Sequence, residues 1–194
     1  YNRMRSVDRW VTRTVMDWIA AQRSRMSRFR GFAVNLSGQT ASDPSFLDFV
    51  REQFQRTGID PAWLSFEVTE TAAVSDLSST AGIIHDLKAL GCKVALDDFG
   101  SGLASYSYLK ELPVDWLKID GVFVRKMAAS GEDYAVVKSI NEIGHFLGKK
   151  TIGEYVADEQ ILRCVSEIGV DFAQGYGIAP PMLLDDLLDD AKSA

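Results

Sequence analysis

The chain has 194 residues, 46% hydrophobic and 25% charged, which fits one domain with a sizeable buried core. Its formal net charge of −6 excludes the Lys/Arg stripe that a duplex nucleic-acid binder needs, and leaves room for a small phosphorylated ligand whose charge metal ions neutralise. No signal peptide and no apolar run of about 18 residues is present, so the domain is read as cytoplasmic, with any membrane anchor lying elsewhere in the parent protein.

The first predicted helix runs from Val7 to Gln22, with Val7, Trp10, Val11, Val15, Trp18 and Ile19 at helical spacing. A basic segment, Arg23 to Arg30, reads as an exposed connection. Phe32 to Ser37 is a short strand. The next helix carries its own punctuation: Asp43 as N-cap, Pro44 in the first turn and Gly58 as the stop. Trp63 to Val68 reads as a strand leading into Glu67-Val68-Thr69-Glu70, and Ser78 to Leu90 as a helix closed by Gly91. Lys93 to Leu96 is a strand entering Asp97-Asp98-Phe99-Gly100, followed by a short helix near Ala104 to Lys110. Strands at Trp116–Asp120, Thr151–Glu154 and Phe172–Gly175 alternate with helices at Asp133–Leu147, Glu159–Ile168 and Leu183–Ala191.

Short strands joined by helices predict parallel pairing. Both a doubly wound sheet and a barrel satisfy the pattern. The common nucleotide-binding open sheets place a glycine-rich phosphate loop after the first strand, and Asn35-Leu36-Ser37-Gly38 has too few glycines. The barrel is therefore preferred.

The polar residues fall in one kind of place. Asn35, Glu67, Asp97, Asp98, Lys118, Asp120, Glu154 and Gln174 all lie at or near the C-terminal ends of apolar strands. In a parallel barrel those ends converge on one face, which holds the active site. Carboxylates gathered there repel one another, and burial adds to the cost. Oxygen ligands without clustered His or Cys suit Mg²⁺, Mn²⁺ or Ca²⁺ rather than zinc. Paired ions are the usual device for phosphodiester hydrolysis. Taken singly, each of these residues except the Asp97-Asp98 pair has an ordinary explanation as a loop cap, a turn or a surface charge. Their joint placement does not. Cys92 and Cys164 lack metal-ligand spacing and read as buried free thiols suited to a reducing compartment. His85 and His145 lie on helices, away from the strand ends, and the four tryptophans read as packing residues.

Asn35-Leu36-Ser37, Phe66 to Glu70, Leu96 to Gly102, Leu117 to Asp120 and Gln174-Gly175-Tyr176 occur in this order along nearly the whole chain. Together they resemble the successive signatures of the EAL family of bacterial cyclic di-GMP phosphodiesterases. The resemblance implies an α/β fold, a modified TIM (β/α)8 barrel. It implies two Mg²⁺ or Mn²⁺ ions and hydrolysis of one phosphodiester bond of cyclic di-GMP to linear pGpG in bacterial signalling. It gives Asn35, Glu67, Asp97, Asp98 and Asp120 to the metal site. Lys118 would steady the attacking water or the phosphate, Glu154 would be the general base, and Gln174 would support the water network. Glu70 would hold a regulatory loop, from Asp98 to Ser105 with Phe99, Gly100, Ser101 and Gly102, that couples dimerisation to activity. Fusion to sensor or GGDEF domains in a homodimer is also implied.

The sequence departs from the family pattern in four places. The Glu-Ala-Leu motif is absent, so residues 1–194 are read as a partial domain from the third strand to the C-terminal helix, with the first two strands upstream. The usual Ala-Glu-Gly-Val-Glu reads Gly153-Glu154-Tyr155-Val156-Ala157. Gly121-Val122 stands where Arg-Ser is common, and Ala179-Pro180-Pro181 replaces Gly-Arg-Pro. An active phosphodiesterase is the leading reading. A degenerate domain that binds cyclic di-GMP, or a partner protein, without turnover is the alternative.

Overall fold

The computed structural model describes residues 3–102 and 107–190. Six parallel strands form one sheet: β1 (Phe32–Leu36), β2 (Leu64–Thr69), β3 (Lys93–Phe99), β4 (Trp116–Ile119), β5 (Lys150–Gly153) and β6 (Phe172–Ala173). Their spatial order equals their chain order. A doubly wound sheet reverses direction at a switch point. This one never does, so the strands build a half-barrel, with β1 and β6 at its two edges.

Successive side chains on each strand alternate between two faces. Val34, Phe66, Val94, Leu96 and Leu117 are fully buried on the convex face. The helices pack there: α1 (Arg3–Ala21) on β1, α5 (Leu77–Ala89) on β3, and α7 (Gly131–Phe146) on β4 and β5. The alternate residues Ala33, Ser65, Glu67, Lys93, Trp116, Ile152 and Gln174 line a concave space of about 690 Å³. A helix-coated outer face and an inner face that carries the charged residues thus follow from a two-residue period in the sequence.

Local signals set the element ends. Gly58 takes a left-handed φ of 61° and stops α3 (Ser45–Thr57). That helix starts one residue later than Asp43 predicts: Pro44 is its N-cap, while the Asp43 carboxylate accepts from the Ser45 backbone and hydroxyl. The predicted helix at 159–168 is α8 (Glu159–Ile168), capped by Asp158. The segment after Arg23 is a 3₁₀ turn, Arg23–Arg28, that buries Met26 rather than a bare linker. The described part of the predicted C-terminal helix is α9, Leu187–Asp190. Part of the predicted 104–110 helix lies outside the described residues; the described part is a 3₁₀ turn, Tyr108–Lys110.

Helix α1 buries a stripe rotated from the predicted one. Asp8, Thr12, Met16 and Ile19 are buried, whereas Val7 and Trp10 are exposed, so Trp10 is not a packing residue. The reason is polar. The Asp8 carboxylate accepts from the Ser37 backbone N–H at 3.0 Å, the Ser37 hydroxyl at 2.6 Å and the Thr40 hydroxyl. This turn directly follows β1, so α1 is tied to the strand end that carries Asn35. Asp8→Ala is expected to lower the unfolding free energy by about 1–3 kcal/mol, because buried donors lose their acceptor. Urea denaturation followed by tryptophan fluorescence checks it. A change below about 0.5 kcal/mol, the level of an ordinary surface substitution, would mean that water replaces the carboxylate.

Candidate active site

The site is organised by an irregularity in β3. Leu96 pairs with Leu117 on β4, but the next paired residue is Phe99, opposite Ile119. Asp97 and Asp98 therefore share the single position Lys118, which is a β-bulge. Asp98 adopts φ 55°, a left-handed conformation that Asp tolerates better than most residues. The bulge cancels the usual alternation. Two adjacent acids, which a regular strand would send to opposite faces, both reach the concave side.

Lys118 lies at the centre, its side chain 4% exposed. Its ammonium donates to Glu67 Oε2 at 2.8 Å and Asp97 Oδ1 at 2.6 Å, and lies 2.8 Å from Glu154 Oε1. An ammonium has three donors, and three carboxylates from β2, β3 and the end of β5 take them. Burial works against the Lys118 charge, but Glu67 and the bonds to Asp97 and Glu154 outweigh it and raise its pKa. Glu67 is also raised: burial is the largest influence and exceeds the attraction of Lys118. Asp98 is raised by burial and then by the like charges of Asp97 and Asp120. Burial pushes the Glu154 carboxyl up to about 7, against the pull of Lys118 and with the help of Asp97 and Asp98.

Carboxylate oxygens of Asp97, Asp98 and Glu154 all lie within 4.8 Å of one another. They are hard donors without His or Cys, and after burial the like charges of Asp97 and Asp120 raise Asp98, a crowding that a dication relieves. The residues fit a hard divalent cation. Asp120 stands beside them and caps α6 (Gly121–Val124) through the Val122 N–H at 2.8 Å. Asn35 is exposed on the edge strand, in register with Glu67. Gln174 lies exposed just past β6, its backbone N–H donating to Gly153 and its carbonyl accepting from Val156.

Glu70 is 2% exposed at the start of α4 (Glu70–Ser75). It accepts from the Gly100 N–H at 2.9 Å and from the Tyr108 hydroxyl. A Cβ at Gly102 would lie 3.1 Å from its carboxyl. Glu70 thus binds both ends of the segment that follows the bulge. Phe99 is buried in the core and the Ser101 hydroxyl donates to the Asp98 carbonyl. Ser105 lies outside the described residues. Sequence reasoning missed Tyr108 and Asp8. Tyr108 gives no local signal, whereas an acid at the i+4 spacing of the Asp8–Thr12–Met16 stripe does.

A family model described as "EAL domain" matches residues 1–181. The chain is 38% identical over 181 residues to "Cyclic di-GMP phosphodiesterase PdeB" of Shewanella oneidensis, covering 93% of this chain and 21% of that protein. It is 36% identical over 187 residues to "Cyclic di-GMP phosphodiesterase PdeF" of Escherichia coli, covering 96% and 25%. The structure of the PaMucR phosphodiesterase in complex with c-di-GMP superposes with a TM-score of 0.88 at 31% identity, over 94% of this chain and 74% of that one. The FimX EAL domain from Pseudomonas aeruginosa bound to c-di-GMP gives 0.84 at 26%, over 92% and 71%. The chain spans between a fifth and a quarter of the length of those two curated relatives.

Two outcomes follow from the electrostatics. Lys118→Met is expected to destabilise the metal-free protein at pH 7 by about 3–5 kcal/mol, since it leaves buried carboxylates uncompensated. The loss shrinks at pH 5, where they take up protons. An equal loss at both pH values would show that packing, not charge, is what Lys118 supplies. Separately, the Glu154 carboxyl is raised from 4.5 to about 7, so the folded state holds a proton that the unfolded chain has released. Metal-free protein should lose stability as pH climbs from 4.5 through about 7. Urea titrations across that range, with Glu154→Gln as comparison, read this directly; an unaltered slope in the variant would assign the titration to another group.

Proposed function

Because the chain belongs to the EAL domain family, we propose that it hydrolyses one phosphodiester bond of cyclic di-GMP to linear pGpG, using two Mg²⁺ or Mn²⁺ ions. The observation that carries this reading is the bulge at Asp97-Asp98, which brings two acids to the mouth where Glu67, Glu154 and Lys118 already meet. Structural neighbours solved with c-di-GMP support the substrate.

Asn35, Glu67, Asp97, Asp98 and Asp120 would hold the ions. Bound dications supply charge neutralisation at the phosphoryl oxygens and an activated water. Lys118 fixes Glu67, Asp97 and Glu154 in one arrangement and presents positive charge to the scissile phosphate. Glu154, raised towards neutrality, accepts a proton from the attacking water as its oxygen bonds to phosphorus. The bond to the 3′ oxygen breaks, and that oxygen takes up a proton. Gln174 supports the water network from the β6 side. Glu70 holds Gly100 and Tyr108, and with them the regulatory loop containing Phe99, Ser101 and Gly102.

The same reading makes residues 1–194 part of an EAL domain, from its third strand to its C-terminal helix. It places that domain in the cytoplasm, as a homodimer fused to sensor or GGDEF domains. Among the described residues no helix is long and apolar enough to cross a membrane. A second reading, a receptor that binds cyclic di-GMP without turnover, draws on Ala157, where the family pattern has an acid.

Full-length protein is incubated with cyclic di-GMP and Mg²⁺ or Mn²⁺, and products are separated by chromatography. Conversion to pGpG is expected, falling about 10²–10⁴-fold in Glu154→Gln. Tight binding without turnover selects the receptor. Neither binding nor turnover would leave only the family fold standing.

A further inference from the structure

We infer that Tyr155 is a stacking platform for one guanine base of the substrate, a role that rests on the cyclic di-GMP reading above. Tyr155 has φ 53°, and for a bulky residue the left-handed region is a genuine outlier. Such strain persists where the surroundings impose it, and it clusters at ligand sites. Core packing is not what imposes it, because Tyr155 is 64% exposed.

Its location is specific. Tyr155 directly follows Glu154, whose carboxylate meets Lys118. Its ring lies against Gly121, the residue after Asp120. A Cβ built on Gly121 would fall 2.1 Å from the ring's Cδ2 and 2.5 Å from its Cγ. No residue but glycine fits under this ring. Two departures from the family pattern, the aromatic at 155 and the glycine at 121, are therefore one feature. The space that a side chain at 121 would take is occupied by the aromatic ring. The ring bridges the ends of β4 and β5 and is one residue away from an acid of the site on each side. A phosphodiester held at Lys118 and the carboxylates carries its bases outward past this rim. A half-exposed aromatic there offers a purine a face to stack on. The left-handed backbone at Tyr155 accompanies the seating of its ring on Gly121.

The test uses full-length protein with Mg²⁺ and a cyclic dinucleotide in which 2-aminopurine replaces guanine, together with KM and kcat for cyclic di-GMP. Tyr155→Ala is expected to weaken nucleotide affinity about 10- to 100-fold, the effect of one lost base stack, and to abolish quenching of the 2-aminopurine. Affinity for Mn²⁺ alone should hold, and Tyr155→Phe should restore nucleotide affinity to within about threefold of wild type. Tyr155→Gly adds the decisive sign. Glycine relieves the left-handed backbone, so its melting temperature should equal or exceed that of wild type while nucleotide affinity falls. Gly121→Ala, which pushes the ring off its seat, should weaken affinity in the same direction, and combining it with Tyr155→Ala should add little. Wild-type affinity in Tyr155→Ala, or parallel losses of stability and affinity in Tyr155→Gly, would overturn the inference and leave the proposed function intact. A wild-type protein that neither binds nor cleaves cyclic di-GMP would bring down both.

Discussion

Everything at the mouth of this half-barrel depends on how Lys118 keeps Glu67, Asp97 and Glu154 together. Three carboxylates at the ends of three strands, Glu67 and Glu154 buried and Asp97 half-buried, would drive one another apart. A single ammonium with three donors fixes their distance and spends all of its hydrogen-bonding capacity doing so. The arrangement has no slack. Any group that moves leaves a buried charge unmatched, which is costlier than the attraction that held it. Lys118 is therefore both the electrostatic keystone and the reason that the acids stay ionisable at a common point.

Around that fixed centre, adjustable parts are attached. Asp98 is outside the Lys118 tripod, on the bulge, and its carboxyl is raised first by desolvation and then by its acidic neighbours. Glu70 couples the bulge to Tyr108 across the segment between them. A buried carboxylate holding the Gly100 N–H and the Tyr108 phenol fixes these two residues from outside the Lys118 tripod, and its charge adds to the upward shift of Asp98. Asp8 does comparable work at the other edge, tying α1 to the turn that follows Asn35. The site is thus braced at both sides by buried acids that face away from it.

Much of this was legible in residue order. The two-residue alternation on each strand and the glycine at 58 depend on nearest neighbours along the chain, which is why the strands and α8 were found. Predictions failed where a partner distant in sequence decides. The apolar spacing of α1 favoured Val7 and Trp10, but the Ser37 and Thr40 donors pull Asp8 inward and rotate the helix. That Asp97 and Asp98 reach one face through a bulge is likewise decided at a distance, by the β4 register, where two residues oppose one.

The sequence by itself determined the family signatures, the parallel α/β alternation and the hard-oxygen chemistry of the site, because residue type and spacing carry those directly. Only the tertiary structure decided that strand order never reverses, that the bulge turns both acids inward, and that Gly121 makes room for the ring of Tyr155. Each of these is a relation between residues far apart in the chain. It is set by strand register and by the volume left between neighbouring strand ends, and no local pattern of residues encodes either.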